Sequence, residues 1–220
     1  MMSSADRPGL TRQILIDTAL RLLDEVGLDG LSVRRLAAEF GVKSPALYWH
    51  VRGKQELLDG MADAIIAAAR VRPPRANETW QDWLTRRGEK YRRTLLAHRD
   101  GARVVTNAEW LSEHTIVRFN GELVVLVERG FGAALAMRTL TAITQYTNGF
   151  VLREQIRPTA VDRLAANRLD ALTELLDADA PLLTALRAGA GTVGDRAYRH
   201  GLRALVDGTA EALARETQRA

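Results

Sequence analysis

The chain contains no cysteine. That excludes disulfides, thiolate zinc sites and a cysteine nucleophile. Histidine is scarce: His50, His98, His114 and His200 are the four present, and none has a metal-binding spacing such as H-x-x-x-H. No metal or other cofactor is expected. Long apolar runs are missing too. "LVVLV" and "AIIAAA" are far too short to cross a bilayer, and "MMSSADRPG" has no apolar core like a signal peptide. A cytoplasmic protein with no membrane partner is expected. Strand-like alternation is also rare. What remains is an ordinary folding composition, 46% hydrophobic and 26% charged over 220 residues, enough for one large domain or a small one plus a larger one. The formal net charge of +4 gives a mild hint of an anionic partner.

Nearly everything long has helical period. Thr11 is placed to cap a first helix with Ile14, Leu15, Ala19, Leu22, Leu23 and Val26 on one stripe, and Gly27 to end it. Ser32 can cap a short second helix carrying Val33, Leu36, Ala37 and Phe40. Ser44 can cap a third, with Pro45 at its first position, where a missing N–H costs nothing. A fourth runs from about 55 to 70, its inner face formed by Leu57, Leu58, Met61, Ala64, Ile65 and Ala68. Pro73 and Pro74 in "VRPPRANE" then stop the helix, which puts a domain junction near residue 71. Longer helices are expected at roughly 78–98, 110–129, 133–156, 160–177 and 195–217, with a short helix or turn at "HRDGARVVTN". The fold class expected is all-α. A three-helix head with a linking helix covers 10–70, and a larger helical body covers 71–220.

Only 5% of residues are aromatic, yet "SPALYWHVRGK" sets Tyr48, Trp49 and His50 side by side. Neighbours in a helix point about 100° apart, so three adjacent rings cannot all be buried. On a helical wheel Leu47 and Val51 fall together and face inward. Pro45 and Trp49 point away, Ser44 and Tyr48 flank them, and His50 lies on the other edge. Two short helices joined by a turn containing Gly41, at about 32–51, follow the plan of a helix-turn-helix whose second helix enters the DNA major groove. Small residues let such a helix approach base edges, and hydroxyls can bond bases or phosphates. The charge is placed to match. Between Ser32 and Lys54 the bases Arg34, Arg35, Lys43, Arg52 and Lys54 face a single acid, Glu39, a local charge of +4. Each phosphate contact adds salt-dependent affinity by releasing counterions.

"LSVRRLAAEFGVKSPALYWHVRGKQELLDGM" resembles the DNA-binding head of the TetR family of bacterial repressors, and "LYWHV" followed by "K..LL" is close to the tetracycline repressor subgroup. "ETWQDWL", "LLAHRDGARV" and "ERGF" resemble the core domain of that subgroup. The resemblance implies DNA roles for Val33, Arg34, Ser44, Pro45, Ala46, Tyr48, His50 and Lys54. Arg34 would reach the groove, Ser44 and Pro45 the base edges, and Tyr48, His50 and Lys54 the phosphates. Lys43 and Trp49 complete the candidate set from their place on the same face. Tetracycline repressors have Gln where Ser44 stands and Thr where Val33 stands, so a different operator is expected.

The resemblance also implies where a drug and its magnesium would be held. The matching positions here are Ala69, Arg87, Tyr91, Val105, Gln145 and Arg153, and only the Tyr91 ring is comparable. Magnesium needs oxygen ligands, which Val105 and Arg153 cannot supply, so no response to magnesium–tetracycline is expected. Trp83, Arg87 and Tyr91 are spaced by four and share a helix face. Trp110, Phe119, Tyr146 and Phe150 are further candidates for a pocket wall. An apolar or aromatic anion, met by Arg87 or Arg153, is the ligand class expected. The two arginines could instead bridge neighbours such as Glu89 or Glu154.

"HRD" at 98–100 resembles a kinase catalytic loop but has no Gly-rich phosphate loop or strand context, and "GAGTVG" follows no strand. With no nucleophile or metal set, no enzyme is expected. The resemblance implies a homodimer built on the helices at 133–156 and 195–217, repressing from double-stranded operator DNA and released by a small-molecule effector. The alternative is a DNA-binding regulator without a small ligand, controlled by a co-repressor or partner protein.

Overall fold

A computed structural model describes residues 10–156, 172–188 and 193–218. The helix expected at 160–177 lies largely outside the described residues, as does part of "GAGTVG". Among the described residues the chain is helical and without strands. None of the described helices is long and apolar enough to cross a membrane.

Helix α1, Arg12–Gly30, starts where the Thr11 hydroxyl accepts the Ile14 N–H at 3.3 Å. Leu15, Ile16, Ala19, Leu22 and Leu23 are buried along it. Gly27 breaks it, with φ of 73°, a backbone state that suits glycine. One further helical turn then follows to Gly30, so the chain bends at Gly27 and ends three residues later than expected. Helix α2, Val33–Glu39, is capped as expected: the Ser32 hydroxyl accepts the Arg35 N–H at 3.2 Å. Gly41, at φ of 63°, turns the chain.

The third element differs from expectation. Residues Ser44–Trp49 form a 3₁₀ helix, not an α-helix, and its N-cap is Lys43 rather than Ser44. Its bonds close over three residues, from Ala46 N–H to Lys43 O at 2.9 Å and from His50 N–H to Leu47 O at 2.9 Å. A six-residue segment closes few longer bonds, and short helical connectors commonly take this form. Helix α3, Lys54–Ala68, follows at once, burying Leu57, Leu58, Met61, Ala62 and Ile65. Ala64 is half-buried and Ala68 exposed, so Ala62 belongs to the inner face instead.

Beyond the prolines come α4 (Trp80–Leu96), α5 (Gly101–Thr106), α6 (Glu113–Val127), α7 (Ala133–Gln155), α8 (Pro181–Arg187) and α9 (Asp195–Thr217). No helix is expected from sequence at 181–187, where α8 stands; Pro181 occupies its first turn. The linker is tied down by Glu78 and Arg86, 2.6 Å apart, and by the Trp83 indole N–H donating to Arg72 O at 3.1 Å. The Arg86 guanidinium holds the Glu78 carboxyl at about 2. Because that value is lowered, the stabilisation is complete above the ordinary carboxylate range and is lost as pH falls through about 2.

Two apolar clusters organise the chain. The first joins α1, α2, the 3₁₀ helix and α3 to Tyr91, Leu95, Ala102, Val104 and Val151. The second packs Trp83, Leu84, Leu126, Phe131, Leu140, Ile143, Tyr198, Leu202 and Val206 between α4, α6, α7 and α9.

Candidate DNA-binding face and ligand cavity

The 3₁₀ helix divides its rings. Leu47 and Val51 are fully buried and pin it to the head. Trp49 is 90% exposed and Tyr48 50%, while His50 is half-buried at its C-cap. Pro45 is exposed, and Ser44, Ala46 and Val33 are half-buried beside it. Arg34, Lys43 and Lys54 are exposed and have no ion-pair partner among the described residues. The single acid of this segment, Glu39, is bound by Arg21 at 2.6 Å. The face is therefore apolar at its centre, cationic around it, and relieved of its one negative charge. Such a surface suits contact with base edges flanked by phosphates.

A cavity of about 260 Å³ opens between α3, α4, α6 and α7. Ile66, Ala69, Leu111, Ile116 and Phe119 supply its apolar wall; Arg87, Tyr91, Thr115, Arg118, Glu122 and Thr144 supply its polar groups. Arg87 donates through Nε to Glu122 Oε2 at 2.7 Å and through Nη1 to Thr144 Oγ1 at 3.3 Å. The Tyr91 hydroxyl donates to Asn148 Oδ1 at 2.7 Å. Burial pushes the Tyr91 phenol up to about 12, so it stays protonated and remains a donor at neutral pH.

Of the ligand residues expected from sequence, the structure brings Arg87 and Tyr91 together at this cavity, with Ala69 and Phe119. The others lie elsewhere. Trp83 is buried in the second cluster. Val105 packs on the first. Trp110 is 77% exposed, and Gln145 and Arg153 are exposed on α7. Phe150 packs tilted against Tyr146 and edge-on against Tyr198, centroids 5.7 and 5.3 Å away. Sequence reasoning missed Thr115, Arg118 and Glu122. Their spacing of three and four on α6 was the available signal, since such residues share one helix face.

Two sets of polar contacts tie the head to the body. Along α3, Gln55, Asp59 and Asp63 recur every four residues. The Gln55 amide donates to Asn107 O at 2.9 Å, Asp59 accepts the Glu109 N–H at 2.9 Å, and Asp63 accepts the Ser112 N–H at 3.0 Å. The second set explains "HRD". His98 Nδ1 lies 3.1 Å from Asp24, the Arg99 N–H donates to Asp24 at 2.8 Å, and Asp100 accepts the Leu28 N–H at 2.9 Å just past the Gly27 break. Arg103 bridges Asp29 at 2.8 Å and Asp100 at 3.3 Å. Asp100 is the one non-glycine described residue in the left-handed region, at φ of 58°, a state that aspartate tolerates better than most.

A helix-turn-helix head with an exposed cationic face, on a helical body holding a cavity, defines a ligand-binding DNA regulator. Residues 15–61 match the model of bacterial regulatory proteins of the tetR family, and residues 73–213 match that of the tetracyclin repressor-like C-terminal domain. The chain belongs to the TetR family of DNA-binding transcriptional regulators. It is similar to the class A tetracycline repressor from transposon 1721 of Escherichia coli, 38% identical over 90% of this chain and 89% of that one. Among solved structures it resembles TetR class A in complex with 5a,6-anhydrotetracycline and magnesium, with TM-score 0.68 and 34% identity over 92% of this chain and 99% of that one. It also resembles the Streptomyces coelicolor protein ActR in complex with actinorhodin, with TM-score 0.82 and 28% identity over 94% and 98%.

The cavity does not fit a magnesium ion. Its one carboxylate, Glu122, is already held by Arg87, and a second arginine stands beside it. Magnesium demands several oxygen ligands in octahedral array. Among the described residues no group of three or more histidines or carboxylates could hold a metal.

Proposed function

We propose that this protein is a homodimeric repressor that holds operator DNA through its head at 10–70 and releases it when an effector other than magnesium–tetracycline enters the body at 71–220. DNA contact falls to Val33, Arg34, Lys43, Ser44, Pro45, Ala46, Tyr48, Trp49, His50 and Lys54. The observation that carries this reading is the reach of α3. It begins at Lys54, beside the recognition turn, and its far end places Ile66, with Ala69 just beyond, in the cavity wall. Its 15 residues span about 22 Å at ~1.5 Å each. A ligand that fills the cavity therefore presses on one end of a rod whose other end adjoins the DNA face. The loop that contributes Leu111 is itself bonded to α3 through Gln55, Asp59 and Asp63, so wall and rod move together. Linkage then makes ligand and operator weaken each other's binding.

A dimer supports specificity by setting two recognition elements roughly 34–36 Å apart along one face of the DNA. Helices α7 and α9 suit that role. Ala134, Ala142, Ala204 and Ala214 are exposed on them, and the space around Gly149 and Gly208 is open, so a second pair of helices can approach closely.

The test is a gel shift with the DNA upstream of the protein's own gene, across a salt series. Tight, sequence-selective binding that weakens with salt is expected. Binding indifferent to sequence would contradict a repressor.

A further inference from the structure

We propose that Arg118 is the anion-reading group of the effector cavity, and that the effector is a compact, largely apolar organic carboxylate. This rests on the cavity being the effector site. Every other charged group lining the cavity has its partner inside the protein. Arg87 is bonded to both Glu122 and Thr144. Arg118 has only the Ile66 carbonyl, at 3.5 Å, the edge of hydrogen-bond range. No carboxylate of the described residues pairs with it. Glu122 stands four residues along the same helix, the usual place for a partner, but Arg87 has taken it. The lining thus holds two guanidinium groups and one carboxylate, a net charge of +1.

A half-buried cation against an apolar wall loses hydration that only an opposite charge restores well. The planar guanidinium fork matches a carboxylate with two parallel bonds. Ile66, Ala69, Leu111, Ile116 and Phe119 would cover the ligand's apolar body. At about 260 Å³ the cavity lies at the small end for ligand pockets, which favours one or two rings over an extended ring system.

The probes are 2-naphthoate, its methyl ester and 2-naphthylmethylammonium, titrated calorimetrically into the full chain. The acid should bind at least tenfold more tightly than the ester or the amine. Arg118→Gln should bring the acid down to the affinity of the ester and leave the ester unchanged, and Arg118→Lys should restore part of the difference, with folding checked by thermal melts. Equal binding of acid and ester, preference for the amine, no binding of the acid, or an acid affinity indifferent to Arg118→Gln would each overturn the proposal. A parallel operator gel shift separates it from the reading beneath it. Release by the ester as effective as release by the acid sinks the anion reader but keeps an effector site. Arg118-dependent binding of the acid without release keeps the anion site and sinks its role as effector site.

Discussion

Tyr48→Ala and Lys54→Ala should each weaken operator binding by about ten- to a hundredfold while leaving the fold intact. The magnitude follows from doubling: in the proposed homodimer each substitution removes two contacts, each worth about 1 kcal/mol or slightly more. The two variants should differ in kind. Lys54 is exposed, without an ion-pair partner among the described residues, and starts α3 beside the recognition turn. Losing it should weaken all DNA sequences alike and lower the salt slope by about 2 per dimer. Tyr48 brings no cation to the phosphates, so its loss should leave the salt slope nearly unchanged. Both side chains stand in solvent, and exposed substitutions typically change stability by less than about 0.5 kcal/mol. Fluorescence anisotropy with labelled operator, alongside thermal melts, measures both. Undiminished affinity in both variants would remove the 3₁₀ helix from the interface.

The largest stability effect should come from Arg92→Met. Arg92 lies inside the body, its side chain 10% exposed. It makes two bonds to Glu154, at 2.9 and 2.7 Å, and one to Asp195 at 2.6 Å. Its guanidinium also lies 4.9 Å from the Tyr198 ring centroid. One side chain thereby joins α4, α7 and the start of α9, and the Glu154 bonds, chiefly, raise its pKa above the ordinary arginine value. Methionine keeps the apolar stem but strands Glu154, 11% exposed, as an uncompensated buried charge. Breaking one side of such a pair costs about 3–5 kcal/mol. Asp195, with 72% of its side chain exposed, adds little, because solvent screens it. The double variant Arg92→Met, Glu154→Met should recover most of the loss, since it removes the buried charge together with its partner and leaves only the part-buried Gly194 N–H without its Glu154 acceptor. Urea unfolding of the single and double variants decides. A single variant within 1 kcal/mol of the parent, or a double variant worse than the single, would refute this account of the body's core.

The head was legible because its signals are local. Thr11 and Ser32 cap the helices they precede, Gly41 makes the turn, and the wheel that set Leu47 and Val51 inward and Trp49 outward matches their burial. What sequence could not supply was the 3₁₀ form, because apolar spacing over six residues fits either helix. In the body the four-residue spacing of Trp83, Arg87 and Tyr91 misled. Each such step drifts about 40° around a helix, so over two steps α4 turns from the second cluster to the cavity. Arg118 and Glu122 sit on a helix with apolar residues on several sides, which hid the face that meets the cavity. The role of "HRD" was out of reach for another reason. Its partners Asp24 and Leu28 lie more than seventy residues away, and nothing in the local pattern pairs them.

Contact between the outward rings of the 3₁₀ helix and DNA can be read directly. Trp49, at 90% exposure, is the tryptophan on that face, and Trp80, Trp83 and Trp110 all belong to the body at 71–220. Intrinsic tryptophan fluorescence should therefore be followed in the parent and in Trp49→Phe as operator duplex is added, at DNA concentrations where anisotropy shows both proteins bound. A change is expected in the parent and none in Trp49→Phe. An equal change in both, or none in the parent, would contradict that contact.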